Sequence, residues 1–214
     1  MADPIVLSPL YAILDVASLP ESQRNISHIV AFAQELAAGG VTLIQYRNKT
    51  GDERAMLSQA RELRRVLPRS IRLIMNDRAD LCIAADFDGV HIGQDDLSPE
   101  GARSVVGPDR IVGVSTHNLE QLKAADSAPV DYIAYGPIFA TTAKQNPDPV
   151  VGLNGLRAAR ALTKEPLVAI GGITRMNAQS VIEAGADSVA VISDLVREPR
   201  QAAGEFIRLL HFLA

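Results

Sequence analysis

The chain has 214 residues, enough for one large domain or two small ones, and 47% of them are hydrophobic. Aromatic residues make up only 4% and tryptophan is absent, so the core must be built from Val, Ile, Leu and Ala. A net charge of −4 and a single cysteine argue against a basic nucleic-acid surface, an intramolecular disulfide and a zinc site of paired thiolates.

The first ten residues contain one aspartate, two prolines and no basic residue, which is not typical of a secretory signal. No apolar run approaches the roughly 18 residues that a bilayer span requires. We therefore expect a cytoplasmic protein that binds neither membranes nor nucleic acid.

Short β-branched runs alternate with longer segments of helical period along the whole chain. The eight predicted strands are Tyr11–Asp15, Val41–Arg47, Ile71–Asp77, Gly89–Gly93, Ile111–Thr116, Tyr132–Phe139, Pro166–Ile173 and Ser188–Ser193. The eight predicted helices lie near Asn25–Ala38, Asp52–Val66, Ala79–Ala84, Pro99–Val106, Leu119–Ala125, Leu153–Leu162, Met176–Ala184 and Arg200–Phe212.

Strand–helix alternation with short connections predicts a parallel sheet, either closed or doubly wound. Eight repeats in this length favour closure, and no G-x-G-x-x-G follows the first strand, as a dinucleotide-binding fold would require. The prediction is an α/β protein in which residues 1–214 form a single (β/α)8 TIM barrel. Its functional residues should then lie at the carboxyl ends of the strands.

The last two predicted strands end in a pattern that is typical of phosphate binding. Gly171 and Gly172 would let backbone N–H groups approach an anion closely, and a short helix starting at Ser193 would face the same place. The alternative is that the glycines only relieve crowding in a tight turn.

The second strand ends in Gln-Tyr-Arg-Asn-Lys. Alternation puts Gln45, Arg47 and Lys49 on one side and Tyr46 and Asn48 on the other. Two cations and an amide would then converge over the barrel mouth, although a solvated charged loop is the usual outcome for such a run.

The third and fourth strands, neighbours in a barrel, both end in carboxylates. Asp77 and one of Asp95 or Asp96 would face each other across the rim. Two carboxylates beside a phosphate would repel it, whereas a Mg²⁺ ion between them would attract it. Taken singly, Asp77 is equally consistent with a helix cap, and the pair 95–96 with an exposed turn.

The ends of the fifth and sixth strands add further polar groups. Ser115 would hydrogen-bond a phosphate oxygen, whereas we interpret His117 and His91 as structural histidines. The long polar loop 141–149 is a candidate lid that carries Lys144 to the site.

In their order and spacing, these motifs resemble the thiamine-phosphate synthase family over nearly the whole chain. The stretches that carry the resemblance are Gln45–Lys49, Asn76-Asp77, His91–Asp96, Gly113–His117, Gly136–Phe139, Lys144, Gly171–Ile173 and Val191–Ser193.

The resemblance implies a transferase that joins a hydroxymethylpyrimidine pyrophosphate to a thiazole phosphate and releases pyrophosphate. Asp77 and Asp96 would bind Mg²⁺, and the catalytic residues would be Arg47, Lys49, Ser115 and Lys144. The implied substrate contacts are Gln45, Tyr46, Arg47, Asn48, Lys49, Asn76, Ser115 and Lys144 for the pyrimidine pyrophosphate, and Thr141, Thr142, Ala143, Gly172, Ile192 and Ser193 for the thiazole phosphate. A homo-oligomer is compatible with this fold.

Two positions depart from the family pattern. Ala143 stands where a second threonine usually precedes the lysine, so one hydroxyl contact with phosphate is missing unless Thr142 supplies it. Asn48 stands where an acidic residue is common.

The implied mechanism is dissociative: the pyrimidine–pyrophosphate bond breaks first, and the thiazole nitrogen attacks the resulting cation. Such chemistry needs charge stabilisation and positioning more than a general base. Three other functions remain as alternatives: a thiazole tautomerase that uses His117, a sugar-phosphate epimerase or isomerase, and a non-catalytic barrel that binds a phosphorylated metabolite and regulates a partner.

Overall fold

The computed structural model describes residues 7–49, 51–141 and 148–211, where eight parallel strands and eight helices alternate. The strands are β1 (Leu10–Asp15), β2 (Leu43–Arg47), β3 (Arg72–Asn76), β4 (Gly89–Ile92), β5 (Ile111–Thr116), β6 (Tyr132–Tyr135), β7 (Leu167–Ala169) and β8 (Ser188–Val191). The helices are α1 (Ile26–Ala38), α2 (Glu53–Val66), α3 (Ala79–Ala84), α4 (Pro99–Val106), α5 (Leu119–Asp126), α6 (Gly152–Leu162), α7 (Ala178–Glu183) and α8 (Pro199–His211).

The strands pair in chain order, and β8 pairs with β1, which closes the barrel and confirms the predicted fold. Apolar side chains form two clusters, as a barrel requires, because alternate residues point inward and outward. The inner cluster includes Ile13, Leu43, Ile74 and Val168. The outer, larger cluster lies between the strands and the helices. Across the described ranges, no helix has the length and apolarity needed to cross a bilayer.

Strands β6 and β7 are shorter than predicted, which opens the mouth of the barrel. β6 stops at Tyr135 because the next residues are Gly136 and Pro137, and proline has no N–H for the ladder. β7 stops at Ala169, before Gly171 and Gly172 with φ of 90° and 67°. A Cβ on Gly171 would lie 2.4 Å from Cβ of Pro137, so a close approach of these two loops accounts for that glycine.

Local hydrogen bonds explain where two of the helices begin. Ser98 Oγ accepts from the N–H of Gly101, which makes Ser98 the N-cap of α4. α7 begins at Ala178, two residues later than predicted, because the Asn177 amide turns back to the loop: Nδ2 donates to Gly172 O and Oδ1 accepts from Thr174 N.

The amino-terminal end of the barrel carries a repeated arrangement that we call the three basal clasps. In each clasp, an aspartate directly before an even-numbered strand accepts a backbone N–H of the preceding strand and pairs with an arginine from an even-numbered helix. Each arginine also donates to backbone carbonyls beyond its own helix. The clasps are Asp88–Leu73 N–Arg64, Asp131–Val112 N–Arg103 and Asp187–Leu167 N–Arg160, with N···O distances of 2.6–3.0 Å.

Candidate active site

The end of β2 presents Gln45, Arg47 and Lys49 on the inner side of the barrel mouth, as predicted. Arg47 Nη1 lies 2.8 Å from Oδ1 of Asp15, the last residue of β1, and Lys49 Nζ lies 3.0 Å from Oδ2 of Asp77. The Asp15 side chain is only 2% exposed, and Ser18 Oγ donates to its second oxygen. Asp15 therefore holds Arg47 in place, whereas Lys49, 54% exposed, reaches into solvent at the mouth.

Tyr46 and Asn48, both predicted substrate contacts, point their side chains away from the barrel mouth, which leaves backbone groups for the predicted contact. Both side chains face helix α2, where the Tyr46 hydroxyl donates to Gln59 and Asn48 Nδ2 donates to Gln59 Oε1 at 3.0 Å. Burial raises the pKa of Tyr46 to about 12. The alternation of side chains along β2 accounts for this orientation, since neighbours of inward residues must point outward.

A buried chain of hydrogen bonds crosses the barrel interior beneath these groups. It links five side chains from β1, β2, β4, β5 and β6, each 9% exposed or less. In order they are Gln45, Tyr11, Tyr132, His91 and Ser115, with successive contacts of 2.9, 2.9, 2.8 and 2.8 Å. We call it the interior chain.

The amide at one end fixes the polarity of the interior chain. Gln45 Nε2 donates to the Tyr11 oxygen, and the assignment that leaves no hydroxyl hydrogen without an acceptor directs the Tyr11 hydrogen to Tyr132. In the same assignment Tyr132 donates to His91 Nδ1, and His91 Nε2 donates to Ser115 Oγ. In this assignment every donor has an acceptor, and the Ser115 hydroxyl keeps its hydrogen for a further acceptor, such as a phosphate oxygen.

Glycine 113 makes room for the centre of the interior chain. A Cβ at this position in β5 would lie 1.9 Å from Cζ of Tyr132. Tyr132 stacks on His91 with an interplanar angle of 17° and meets Tyr11 edge-on at 84°. The ring of Tyr132 thus fills the space that a side chain on β5 would take.

The ends of β3 and β4 bring two carboxylates together. Asn76 closes β3 and is 8% exposed, and Asp77 follows with a left-handed φ of 63°. Burial raises the pKa of Asp77, the hydrogen bond with Asp96 raises it further, and Lys49 opposes the shift. Asp96 also accepts from Gly93 N at 2.7 Å, whereas Asp95 is not among these contacts. Of the two aspartates considered, Asp96 is therefore the one that faces Asp77.

His117 is held at both ring nitrogens. Nδ1 lies 2.6 Å from the carbonyl oxygen of Gly136, and Nε2 lies 3.4 Å from Oδ2 of Asp148. With its side chain 10% exposed, it bridges the end of β5 and the two ends of the loop after β6. This agrees with its interpretation as a structural histidine.

Across the mouth lies the rim after β7 and β8. A short 3-10 helix, Ser193–Leu195, begins at the predicted residue, and Ile192 directly precedes it. Gly172 has a left-handed φ of 67°, and a Cβ there would lie 2.6 Å from the carbonyl oxygen of Ala140, next to Thr141. The predicted contacts Thr142, Ala143 and Lys144 lie outside the described residues, as does most of the predicted lid.

Several residues that build the site were not found from the sequence. Asp15 and Tyr11 lie on β1, which was given no functional role, and Tyr132 is the first residue of β6. Asp15 could have been found from one signal: it is an acidic residue at the end of β1, and the neighbouring strand β2 ends in the cation Arg47.

A closed parallel barrel with a cationic cluster, a facing pair of carboxylates and a glycine-rich rim at its mouth defines a TIM-barrel protein of the phosphate-handling class. Comparison with known proteins narrows this class. The family model described as thiamine monophosphate synthase matches residues 10–195. The chain belongs to this family, which confirms the resemblance seen in the sequence.

Individual relatives match this chain over 87% or more of its length. A thiamine-phosphate synthase of Koribacter versatilis is 64% identical over 211 residues, covering 99% of this chain and 100% of that protein. Another, of Chloroflexus aurantiacus, is 44% identical over 188 residues, or 87% of this chain and 84% of its own. The structure of a thiamine phosphate pyrophosphorylase from Pyrococcus furiosus has a TM-score of 0.83 and 34% identity, with 95% and 96% of the two chains covered.

Proposed function

We propose that the protein catalyses the reaction of its family. It condenses 4-amino-2-methyl-5-hydroxymethylpyrimidine pyrophosphate with 4-methyl-5-(2-phosphoethyl)thiazole, carboxylated or not, to give thiamine phosphate and pyrophosphate, and the carboxyl group of a carboxylated thiazole leaves as CO2. The observation that carries this proposal is the division of the barrel mouth into two anion-binding halves. The ends of β2 to β5 offer cations and paired carboxylates, and the loops after β7 and β8 offer glycine backbone.

The pyrophosphate binds to the half that contains Arg47, Lys49 and Ser115. Arg47 is oriented by Asp15, and the interior chain leaves the Ser115 hydroxyl as a donor. Gln45 and Asn76, buried beneath the mouth, contact the pyrimidine, and Lys144 completes the set from the loop after β6.

The carboxylates of Asp77 and Asp96 are suited to Mg²⁺. Their proximity and burial disfavour two negative charges, as the raised pKa of Asp77 shows, and a divalent cation reverses that cost. Within the described residues, no group of three or more potential ligands comes together, so these two carboxylates would hold the ion jointly with substrate phosphates. When bound, the ion supplies charge neutralisation of the leaving pyrophosphate.

The chemistry is dissociative. Arg47, Lys49 and Lys144 stabilise the charge that develops on the pyrophosphate as its bond to the pyrimidine methylene breaks. The thiazole nitrogen then attacks the resonance-stabilised pyrimidine cation, and no side chain has to remove a proton for that bond to form. Holding the two substrates in line supplies about 7–11 kcal/mol of the barrier reduction.

The thiazole phosphate binds to the opposite half. Its anion is held by backbone groups of Gly172, Ile192 and Ser193 and by the segment Thr141, Thr142 and Ala143. Small-molecule substrates, a cytoplasmic location and the absence of nucleic-acid partners complete the proposal. A homo-oligomer stays a prediction.

The test is turnover by the purified protein with Mg²⁺ and both substrates, followed by chromatography of thiamine phosphate. We expect product that depends on all three additions. No product at saturating substrate would contradict the proposal. If the thiazole phosphate still bound to such a protein, the remaining alternative would be the non-catalytic barrel that binds a phosphorylated metabolite and regulates a partner. Conversion of one thiazole phosphate isomer into another, without the pyrimidine substrate, would instead indicate a tautomerase, although the two contacts of His117 weigh against it as a base.

A further inference from the structure

Arg175 connects the two loops of the thiazole-phosphate half. It lies in the loop after β7, three residues beyond Gly172, and its partner Asp194 directly follows Ser193 in the loop after β8. The backbone N–H and Nε of Arg175 donate to Asp194 Oδ2 at 2.8 and 3.1 Å, and Nη2 donates to Oδ1 at 3.1 Å. Nη1 donates to Glu205 of α8. One residue thus ties both loops to a helix.

The loop after β7 is also braced from within. Asn177 Nδ2 donates to the carbonyl of Gly172 at 3.0 Å, and its Oδ1 accepts from Thr174 N at 2.8 Å. The backbone from Gly172 to Asn177 is therefore fixed as a unit, and Arg175 joins that unit to Asp194. A guanidinium that contacts both oxygens of one carboxylate defines a distance and an orientation, which a lysine cannot do with one ammonium.

The charge of Arg175 is already matched. Two carboxylates, Asp194 and Glu205, contact the guanidinium, whose side chain is 31% exposed. With two carboxylates on one guanidinium the local charge is net negative, so Arg175 does not attract an incoming anion as a cation with a single carboxylate partner can. We therefore consider the structural effect of Arg175, which is to hold the loops after β7 and β8 together.

We propose that Arg175 is a positioning residue that fixes the separation of the loops after β7 and β8, so that Gly172, Ile192 and Ser193 face one phosphate. This inference rests on the proposed function, because it assigns the phosphate to the thiazole substrate. Preorganised loops bind more tightly because less conformational freedom is lost when the ligand binds.

The test is a double-mutant cycle of Arg175→Ala and Asp194→Ala, with Arg175→Lys as the conservative variant. Two quantities are measured for each variant: the dissociation constant of the thiazole phosphate alone, by calorimetry, and the KM of each substrate. We expect each alanine variant to weaken thiazole-phosphate binding about tenfold, the double variant no more than either single one, and the lysine variant to fall between. The KM of the pyrimidine pyrophosphate and kcat should change less than about twofold.

Arg160→Ala is the matched control, because it breaks a basal clasp between an arginine and an aspartate at the other end of the barrel. It should lower the melting temperature without changing either KM. Unchanged thiazole-phosphate affinity in Arg175→Ala, or equal losses for both substrates, would overturn the proposal. So would weak binding in Arg175→Ala but normal binding in Asp194→Ala, which would mean that Arg175 contacts the phosphate directly.

The two proposals fail separately. A wild-type protein that binds the thiazole phosphate but makes no product contradicts the proposed reaction, and the affinity comparison still decides the role of Arg175. A wild-type protein that does not bind the thiazole phosphate overturns both.

Discussion

The basal clasps and the mouth of the barrel use the same residue types in different ways. In a clasp, an aspartate such as Asp131 meets an arginine and a backbone N–H, so opposite charges and donors surround it. At the mouth, Asp77 lies against a second carboxylate, Asp96, and the cation that pairs with it, Lys49, has a side chain that is 54% exposed. In the clasp, the charges and hydrogen-bonding groups are all paired within the protein. At the mouth, the carboxylates are stabilised by an added cation and the lysine by an added anion.

This difference separates stability from function along the barrel axis. Groups whose partners all belong to the fold stabilise it, and groups that face like charges cost stability until a ligand binds. Substitutions at the base should therefore lower the free energy of unfolding and leave catalysis unchanged. Substitutions at the mouth should lower catalysis and leave the free energy of unfolding nearly unchanged. The interior chain lies between the two ends, and changes there should affect both properties.

The largest expected effect is on turnover, in Lys49→Ala. Loss of a cation that stabilises the leaving pyrophosphate should lower kcat by about 10²–10³-fold, or roughly 3–4 kcal/mol in activation free energy. The side chain is 54% exposed, so the melting temperature should stay within about 2 °C. Steady-state kinetics and a thermal melt measure both quantities.

Lys164→Ala is the control, since it removes the same charge from an exposed position near the base of the barrel, between α6 and β7. It should leave kcat unchanged. A Lys49→Ala enzyme with normal kcat would remove Lys49 from the catalytic set.

The next effect is expected from Gly113→Ala in the barrel interior. The added methyl group would lie 1.9 Å from the Tyr132 ring, so the ring or the strand must move. We expect a loss of about 3 kcal/mol of unfolding free energy and a lower kcat, because the displaced Tyr132 no longer orders His91 and Ser115. Denaturant unfolding and kinetics on the same preparation test this.

Gly204→Ala in α8 is the matched control, because its Cβ would meet only a distant Arg208 side chain at 3.6 Å and the Gly39 oxygen at 3.8 Å. It should be neutral or slightly stabilising. Normal stability and kcat in Gly113→Ala would mean that the interior chain tolerates a shift of Tyr132.

The sequence predicts the fold well because β-branched runs and helical periodicity are local signals, and the barrel follows from their number and order. It predicts the cationic end of β2 for the same reason. Alternation along β2 also implies that Tyr46 and Asn48 face away from the mouth, and the family resemblance, which does not distinguish backbone from side-chain contacts, obscured this.

The remaining features depend on contacts between distant parts of the chain. Tyr11 and Tyr132 are 121 positions apart, and neither has a local pattern that indicates hydrogen bonding across the barrel. The clasp formed by Asp131 and Arg103 spans 28 positions. The aspartates that directly precede β4, β6 and β8 carry no sign in the sequence of their arginine partners, which are identified only by the packing of the helices on the barrel.

At the base, Asp131→Ala should cost about 2 kcal/mol of unfolding free energy. The substitution removes the acceptor for Val112 N and the partner of Arg103, both part-buried. The melting temperature should fall by roughly 4–8 °C, with both KM values and kcat unchanged when measured well below it. Asp109→Ala, for which no side-chain partner is described nearby, is the comparison. A loss of catalysis in the folded Asp131 variant would show that the two ends of the barrel are coupled.

The smallest effect is expected from Tyr46→Phe, which tests whether the two faces of β2 differ as the two ends of the barrel do. The Tyr46 hydroxyl contacts Gln59 and Asn48 on the α2 side, and the Gln59 oxygen keeps Asn48 Nδ2 as a donor after the change. We therefore expect a loss of about 1 kcal/mol of stability and a kcat within twofold of the wild-type value.

The neighbouring substitution Gln45→Leu gives the contrast, because its amide faces inward and donates to Tyr11 at 2.9 Å. Without that donor the interior chain loses its fixed polarity, and the Ser115 hydroxyl is no longer directed to the pyrophosphate, so kcat should fall about tenfold. If Tyr46→Phe lost as much activity as Gln45→Leu, substrate contact would extend to the α2 side of the strand. The division between a face that binds ligand and a face that only packs would then not hold for β2.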